Sequence, residues 1–130
     1  MAKFTNEQLS WHPMWDLMIG RKPPAHFQSD GSSNSPDVLF GVDIRPAAHY
    51  HDFAYSGRGN GPADEYTRYT ADQLFMANLK TCGLNRVFAK IYYYRVRFWG
   101  HRHYVYSPGR EPKRTLGFYL NLLVGRYVQW

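Results

Sequence analysis

Apolar positions recur at three- and four-residue spacing in two central stretches of the 130-residue chain, and with a capping box before them and one more stretch after them they give four expected helices. The first opens at Thr5-Asn6-Glu7-Gln8, a capping-box pattern, and leads into a helix that Pro13 distorts before it ends near Gly20. The second runs from about Pro46 to Ser56: Pro46 suits a first helical turn, and Ala47, Ala48, His51, Ala54 and Tyr55 form one inward stripe. The third spans about Tyr66 to Cys82, with Asp72, Phe75, Met76 and Leu79 on its apolar face. The fourth spans about Arg86 to Trp99. Beyond Gly100, Tyr104-Val105-Tyr106 reads as extended and Ser107 to Pro112 as a turn. Leu116, Leu120, Leu123 and Tyr127 give a stripe weakened by Gly117 and Gly125. There is no internal repeat, and the length suits one mainly α domain with a real core.

One polar residue sits where the pattern demands an apolar one. Asp72 lies on the buried face of its helix, and an ionised carboxylate there needs a partner, because desolvating it costs several kcal/mol. His51, on the inward stripe of the preceding helix, can supply an imidazole N–H. That bond fixes the tautomer and leaves the other ring nitrogen able to take a proton. The pairing reads as a hydrolase dyad, and it equally fits a structural His–Asp bond within a small core. Asp52, the next residue, turns about 100° away from His51 around the helix. His49 and His51 point about 200° apart and cannot share a metal ion there. His101-Arg102-His103 has no carboxylate nearby in sequence and stays unassigned.

Several segments, in order, resemble the secreted bacterial and fungal phospholipases A2. They are Ser29-Asp30-Gly31-Ser32-Ser33-Asn34-Ser35-Pro36-Asp37, then Phe40-Gly41-Val42-Asp43, then Pro46-Ala47-Ala48 with His51-Asp52-Phe53-Ala54-Tyr55. The run Tyr92 to Gly100 is similar to that family's closing helix, and Ala71 to Lys80 resembles a segment of parvovirus capsid phospholipase domains. The resemblance covers residues 29–100, flanked by an N-terminal helix and linker (1–28) and a basic aromatic extension (101–130). It implies a small phospholipase A2-like fold whose two core helices carry the His/Asp dyad beside a calcium loop, with an irregular C-terminal extension. It further implies a calcium-dependent hydrolase of the sn-2 ester of glycerophospholipids. His51 would be the general base and Asp72 its orienting partner. Ca²⁺ would be held by Asp30, the main-chain carbonyl of Gly31, and Asp52, in an all-oxygen shell that suits calcium over zinc. As an unaided sequence feature, Asp30-Gly31 is an ordinary turn.

The chain departs from that family in its cysteines. The calcium-loop cysteine falls at Ser32, its partner on the catalytic helix falls at Ala48, and Cys82 is the only cysteine. Losing a disulfide from a small secreted domain costs about 2–5 kcal/mol, so a reducing compartment or assembly into a virus or phage particle is expected, with Cys82 as a small buried hydrophobe. No signal-peptide pattern opens the chain, and no apolar run approaches a membrane span; a cytoplasmic or virion-associated location follows.

Charge is divided unevenly. Residues 1–65 hold five Lys/Arg against eight Asp/Glu, and residues 66–130 hold eleven against two, within a total of +6. A basic surface suits a phospholipid membrane, and it also suits nucleic acid, with Arg95, Arg97 and Arg102 interleaved among the aromatics of Tyr92 to Tyr106. A solvated basic face on an aromatic core helix is the simplest expectation for Arg95 and Arg97. Tyr104, Tyr106, Phe118, Tyr119, Tyr127 and Trp130 either cover the domain's own core or bury against neighbouring particle subunits. The competing readings are therefore an enzyme, a catalytically silent structural or binding protein of a particle, and a nucleic-acid-contacting module.

Overall fold

The computed structural model describes residues 4–29, 38–39, 41–56 and 63–123. Five helices carry the fold: α1 (Asn6–Leu9), α2 (Arg45–Tyr55), α3 (Glu65–Thr81), α4 (Arg86–Trp99) and α5 (Leu116–Leu123). Short 3₁₀ turns lie at Trp15–Leu17 and Gly100–Arg102, and two-residue strands Val38–Leu39 (β1) and Val42–Asp43 (β2) pair antiparallel just before α2. The domain is thus mainly α, as the periodicity predicts.

The three central helices begin and end within about a residue of the expected bounds, and their caps explain why. Pro46 sits in the first turn of α2. Asp64 caps α3 by accepting the Thr67 amide at 3.0 Å, while the Thr67 hydroxyl accepts the Asp64 amide at 2.8 Å. The Asn85 side chain caps α4 by accepting the Val87 amide at 2.7 Å. Between α3 and α4 the chain turns at Gly83, whose φ of 110° lies in the left-handed region that favours glycine.

The N-terminal expectation needs correction. The capping bond forms, with the Thr5 amide donating to Gln8 Oε1 at 3.0 Å, but the helix stops after four residues at Leu9. Pro13 supplies the reason: in a continuing helix its ring would strike the carbonyl four residues back, which is that of Leu9. The chain instead passes through the 3₁₀ turn at Trp15–Leu17 and crosses toward α3. There the Asn78 side chain takes both polar groups of the Ile19 backbone, accepting its amide at 2.8 Å and donating to its carbonyl at 2.9 Å.

α3 lies between α2 and α4 and packs against both. Leu9, Trp15, Ile44, Ala47, Phe75, Leu79 and Ala89 form the main apolar core. α2 is more deeply enclosed than its single stripe implied: His49, Tyr50 and Phe53 are buried as well, whereas Ala54 is exposed. Cys82 packs against this core, and burial pushes its thiol up to about 11, so it is neutral at physiological pH.

The C-terminal segment packs on the domain. Phe118 and Leu122 of α5 are fully buried, and Tyr104 nearly so. The Val105 amide donates to the Tyr55 carbonyl at 3.0 Å, and the Ser107 amide to the Ala63 carbonyl at 2.8 Å. For these residues the aromatics cover the protein's own core. The stripe predicted for α5 is reversed, since Leu116, Leu120 and Leu123 are exposed while Phe118 and Leu122 point inward; Tyr127 and Trp130 lie outside the described residues.

Candidate active site

His51 and Asp72 meet across the α2–α3 interface. His51 Nε2 donates to Asp72 Oδ1 at 2.8 Å, and both side chains are buried. The imidazole stacks on Phe75 with ring centroids 4.4 Å apart and lies 4.1 Å from the Tyr55 ring. Since Nε2 carries the proton, the neutral ring has its lone pair on Nδ1. Among the described residues Nδ1 makes no hydrogen bond. The ring lines a cleft of about 30 Å³ together with Ile19, Gly20, Arg21, Ala54, Leu74 and Phe75. That is room enough for a water molecule. Asn78 lines the same cleft and clamps the backbone of Ile19 beside it.

Asp72 has more partners than the sequence suggested. Its Oδ1 also accepts the Tyr55 hydroxyl at 2.5 Å, and its Oδ2 accepts Arg97 Nη1 at 2.8 Å, with Arg68 Nη1 3.4 Å away. The two oxygens therefore divide the work: one faces the histidine, the other an arginine pair. Burial alone would raise the Asp72 pKa, but the His51 bond and charge, followed by Arg68 and Arg97, outweigh it and hold the carboxyl below its usual range. The same carboxylate pushes the Tyr55 hydroxyl up further, after burial as the main cause.

The arginines belong to a closed cluster. Glu65 binds Arg68 through both oxygens, at 2.7 Å to Nε and 3.0 Å to Nη2, and binds Arg97 Nη2 at 2.6 Å. Tyr106, from the C-terminal segment, donates to Glu65 Oε1 at 2.7 Å. Arg68 also donates to the carbonyls of Val96 and Arg97 at 2.9 and 3.1 Å, which ties α3 to the end of α4. Glu65, Arg68, Asp72 and Arg97 are all buried and their formal charges cancel. The approach is close at Gly100, where a β-carbon would lie 2.6 Å from the Tyr55 hydroxyl oxygen.

This cluster overturns the expectation that Arg97 is solvated. Arg97 has no exposed surface, so it cannot join Arg95 and Arg102 in an exposed stripe for nucleic acid. Sequence reasoning also passed over Glu65 and Arg68, although a signal was present. Glu65, Arg68, Asp72, Phe75 and Leu79 step by three and four along α3 and so share its buried face.

The calcium ligand set is only partly within view. Asp52 is half-buried, directly after His51 on α2; Asp30 and Gly31 lie outside the described residues. Among the described residues no group of three or more His, Cys, Asp or Glu side chains forms a metal cage. The donor chemistry of Asp52, a hard carboxylate oxygen, fits calcium.

His49, two residues before His51, serves a separate network. Its Nδ1 accepts the Ser29 hydroxyl at 2.6 Å and its Nε2 donates to Asn6 Oδ1 at 2.8 Å, as the divergence of the two rings on a helix requires. Burial pushes its pKa down to about 4. His101 is buried against Phe118 and Tyr119. Burial and then the charges of Arg114, Arg68 and Arg102 lower its pKa to about 4.

No family model, no curated protein and no solved structure matches the chain. Among the described residues no helix is long and apolar enough to cross a membrane.

Proposed function

We propose that the His51–Asp72 pair is the reaction centre of a phospholipase A2-like ester hydrolase. The observation that carries this reading is the orientation of the imidazole. Nε2 is fixed by a buried carboxylate, Nδ1 makes no hydrogen bond among the described residues, and the ring lines a cleft with room for water. In the proposed reaction Nδ1 takes a proton from that water as its oxygen bonds to the sn-2 carbonyl carbon. The ester C–O bond then breaks, and the imidazolium returns the proton to the leaving glycerol oxygen. Asp72 holds the tautomer throughout and stabilises the imidazolium, with Tyr55 and Arg97 holding Asp72. Calcium bound by Asp30, the Gly31 carbonyl and Asp52 would polarise the ester carbonyl as a Lewis acid. The basic half of the chain would meet anionic head groups, and a virus or phage particle is the proposed setting.

A second reading has an observation of its own. Asp72 is already matched by two arginines inside a neutral cluster. That pairing favours a catalytically silent structural or binding protein of a particle. Fatty-acid release from mixed phosphatidylcholine–phosphatidylglycerol vesicles, with calcium or with chelator, separates the two. The enzyme reading expects calcium-dependent release that falls at least about 100-fold in His51→Ala, with the far-ultraviolet spectrum unchanged. Release that is equal in His51→Ala and in chelator refutes it, and no release on any vesicle gives the structural reading the lead.

A further inference from the structure

The other face of α3 carries a feature that the His51 site does not use. Residues Tyr69, Gln73, Met76 and Lys80 step along it at helical spacing, away from the stripe of Ala71, Phe75 and Asn78 that frames the dyad cleft. Opposite them, α4 presents Arg86, Lys90, Tyr93 and Tyr94. The groove between the two helices encloses about 480 Å³, within the range of small-ligand sites. Its two ends differ chemically. Lys80, Arg86 and Lys90 gather where α3 ends and α4 begins, and all three are exposed. Tyr69, Tyr93, Tyr94 and Met76 form the remaining wall. The Tyr93 hydroxyl is fixed by Gln73 Nε2 at 2.9 Å, and its ring meets that of Tyr94 edge-on at 5.2 Å.

The charges are of one sign. No Asp or Glu lines the groove, and Lys80, Arg86 and Lys90 make no ion pair among the described residues. Arg86 and Lys90 are also four apart on one helix, where like charges repel. Arg86 and Lys90 lie in the first two turns of the 14-residue α4, whose dipole there favours an anion, and Lys80 lies across from them in the last turn of α3, so the three offer their charges to an anion in the groove. Phosphate oxygens match this donor set, and flat aromatic walls beside it suit the organic part of a phosphate ester.

We propose that the α3–α4 groove binds a small phosphate ester, its phosphate on Lys80, Arg86 and Lys90 and its organic group against Tyr69, Tyr93 and Tyr94. The site is independent of the hydrolase reading, because it shares no residue with the His51 cleft. The ester can come from a soluble nucleotide-like molecule or from a lipid head group, and calorimetric titration of the full chain distinguishes them. Inorganic phosphate, adenosine 5′-monophosphate and monomeric dihexanoyl phosphatidic acid are the three probes.

Both esters should bind at least about tenfold more tightly than inorganic phosphate. The double variant Lys80→Ala/Lys90→Ala should weaken all three by at least about fivefold, and Tyr94→Leu should weaken only the esters. His51→Ala should bind inorganic phosphate and adenosine 5′-monophosphate like the parent. Tighter binding of the nucleotide assigns the soluble source, and tighter binding of the phosphatidic acid assigns a head group. Circular dichroism confirms that the variants, of which those at Lys80, Lys90 and Tyr94 alter exposed or half-buried positions, remain folded. Absence of binding by every probe, equal affinity for inorganic phosphate and both esters, or unaltered binding in Lys80→Ala/Lys90→Ala overturns the proposal.

Discussion

Arg97→Met removes one positive charge from a cluster whose four charges cancel. Arg97 bridges Glu65 Oε2 at 2.6 Å and Asp72 Oδ2 at 2.8 Å, with none of the four side chains more than 1% exposed. Breaking a buried pair by deleting one partner costs about 3–5 kcal/mol, because the surviving charge is left in a poorly solvating interior. Two features set the position within that range. Glu65 keeps Arg68 and Tyr106, and Asp72 keeps His51 and Tyr55, so neither carboxylate is orphaned. In the parent, moreover, Arg97 Nε is buried without a partner, a cost that methionine does not incur. The low end, about 3 kcal/mol, is the expectation, read as the shift in urea unfolding midpoint at pH 7 multiplied by the measured m-value. Adding Glu65→Gln restores neutrality. The double variant should therefore lose less than the sum of the two single losses, with a coupling of at least about 1 kcal/mol. A loss below about 1 kcal/mol for Arg97→Met, or strict additivity in the cycle, refutes the claim that these charges are paired in the core.

Two further outcomes follow from buried groups. His49 and His101 have pKa values lowered by burial to about 4, from an ordinary value of 6.5. Their contribution is complete above pH 6.5 and declines as the unfolded chain takes up protons between pH 6.5 and 4, by on the order of 3 kcal/mol per ring at the lower limit. Urea midpoints should fall steadily over that window, and a pH-independent midpoint there contradicts the assignment of neutral buried rings. Gly100→Ala places a methyl group 2.6 Å from the Tyr55 hydroxyl and 3.2 Å from Arg68 Nη1. It should cost roughly 1–3 kcal/mol in thermal unfolding, whereas an unchanged midpoint contradicts the close approach of this turn to the ion cluster.

The sequence was most readable where one physical rule dominated. α2 and α3 follow from helical periodicity together with Pro46, and the ends of α2, α3 and α4 shift by at most about a residue from those expected. The His51–Asp72 bond was readable because an acid on an apolar stripe must find a partner. α1 is shorter than expected because the capping box marks a helix start but the backbone cannot continue past Pro13. α5 turns its expected stripe outward, with Leu116, Leu120 and Leu123 exposed, and the packing of Phe118 on His101 goes with the inward face. Arg68 and Arg97 were hidden by the usual preference of arginine for the surface. Three residues in register on α3 hinted at a buried Arg68, but nothing local to α4 marks Arg97, because its acids lie 25 and 32 positions earlier.

That separation along the chain has a consequence for how the protein is made. Synthesis delivers α2 and α3 first, so Glu65, Arg68, Asp72 and His51 emerge while Arg97 and Tyr106 are still to come. At that stage two carboxylates share a single arginine, and closing α3 against α2 would enclose an uncompensated negative charge. The helix pair should therefore close stably only once the end of α4 and the tyrosine beyond it have been made. Premature release upstream of Arg97 should give a soft, proteolysis-prone fragment, and the dyad should be among the last contacts to form in a chain in which its own residues appear early.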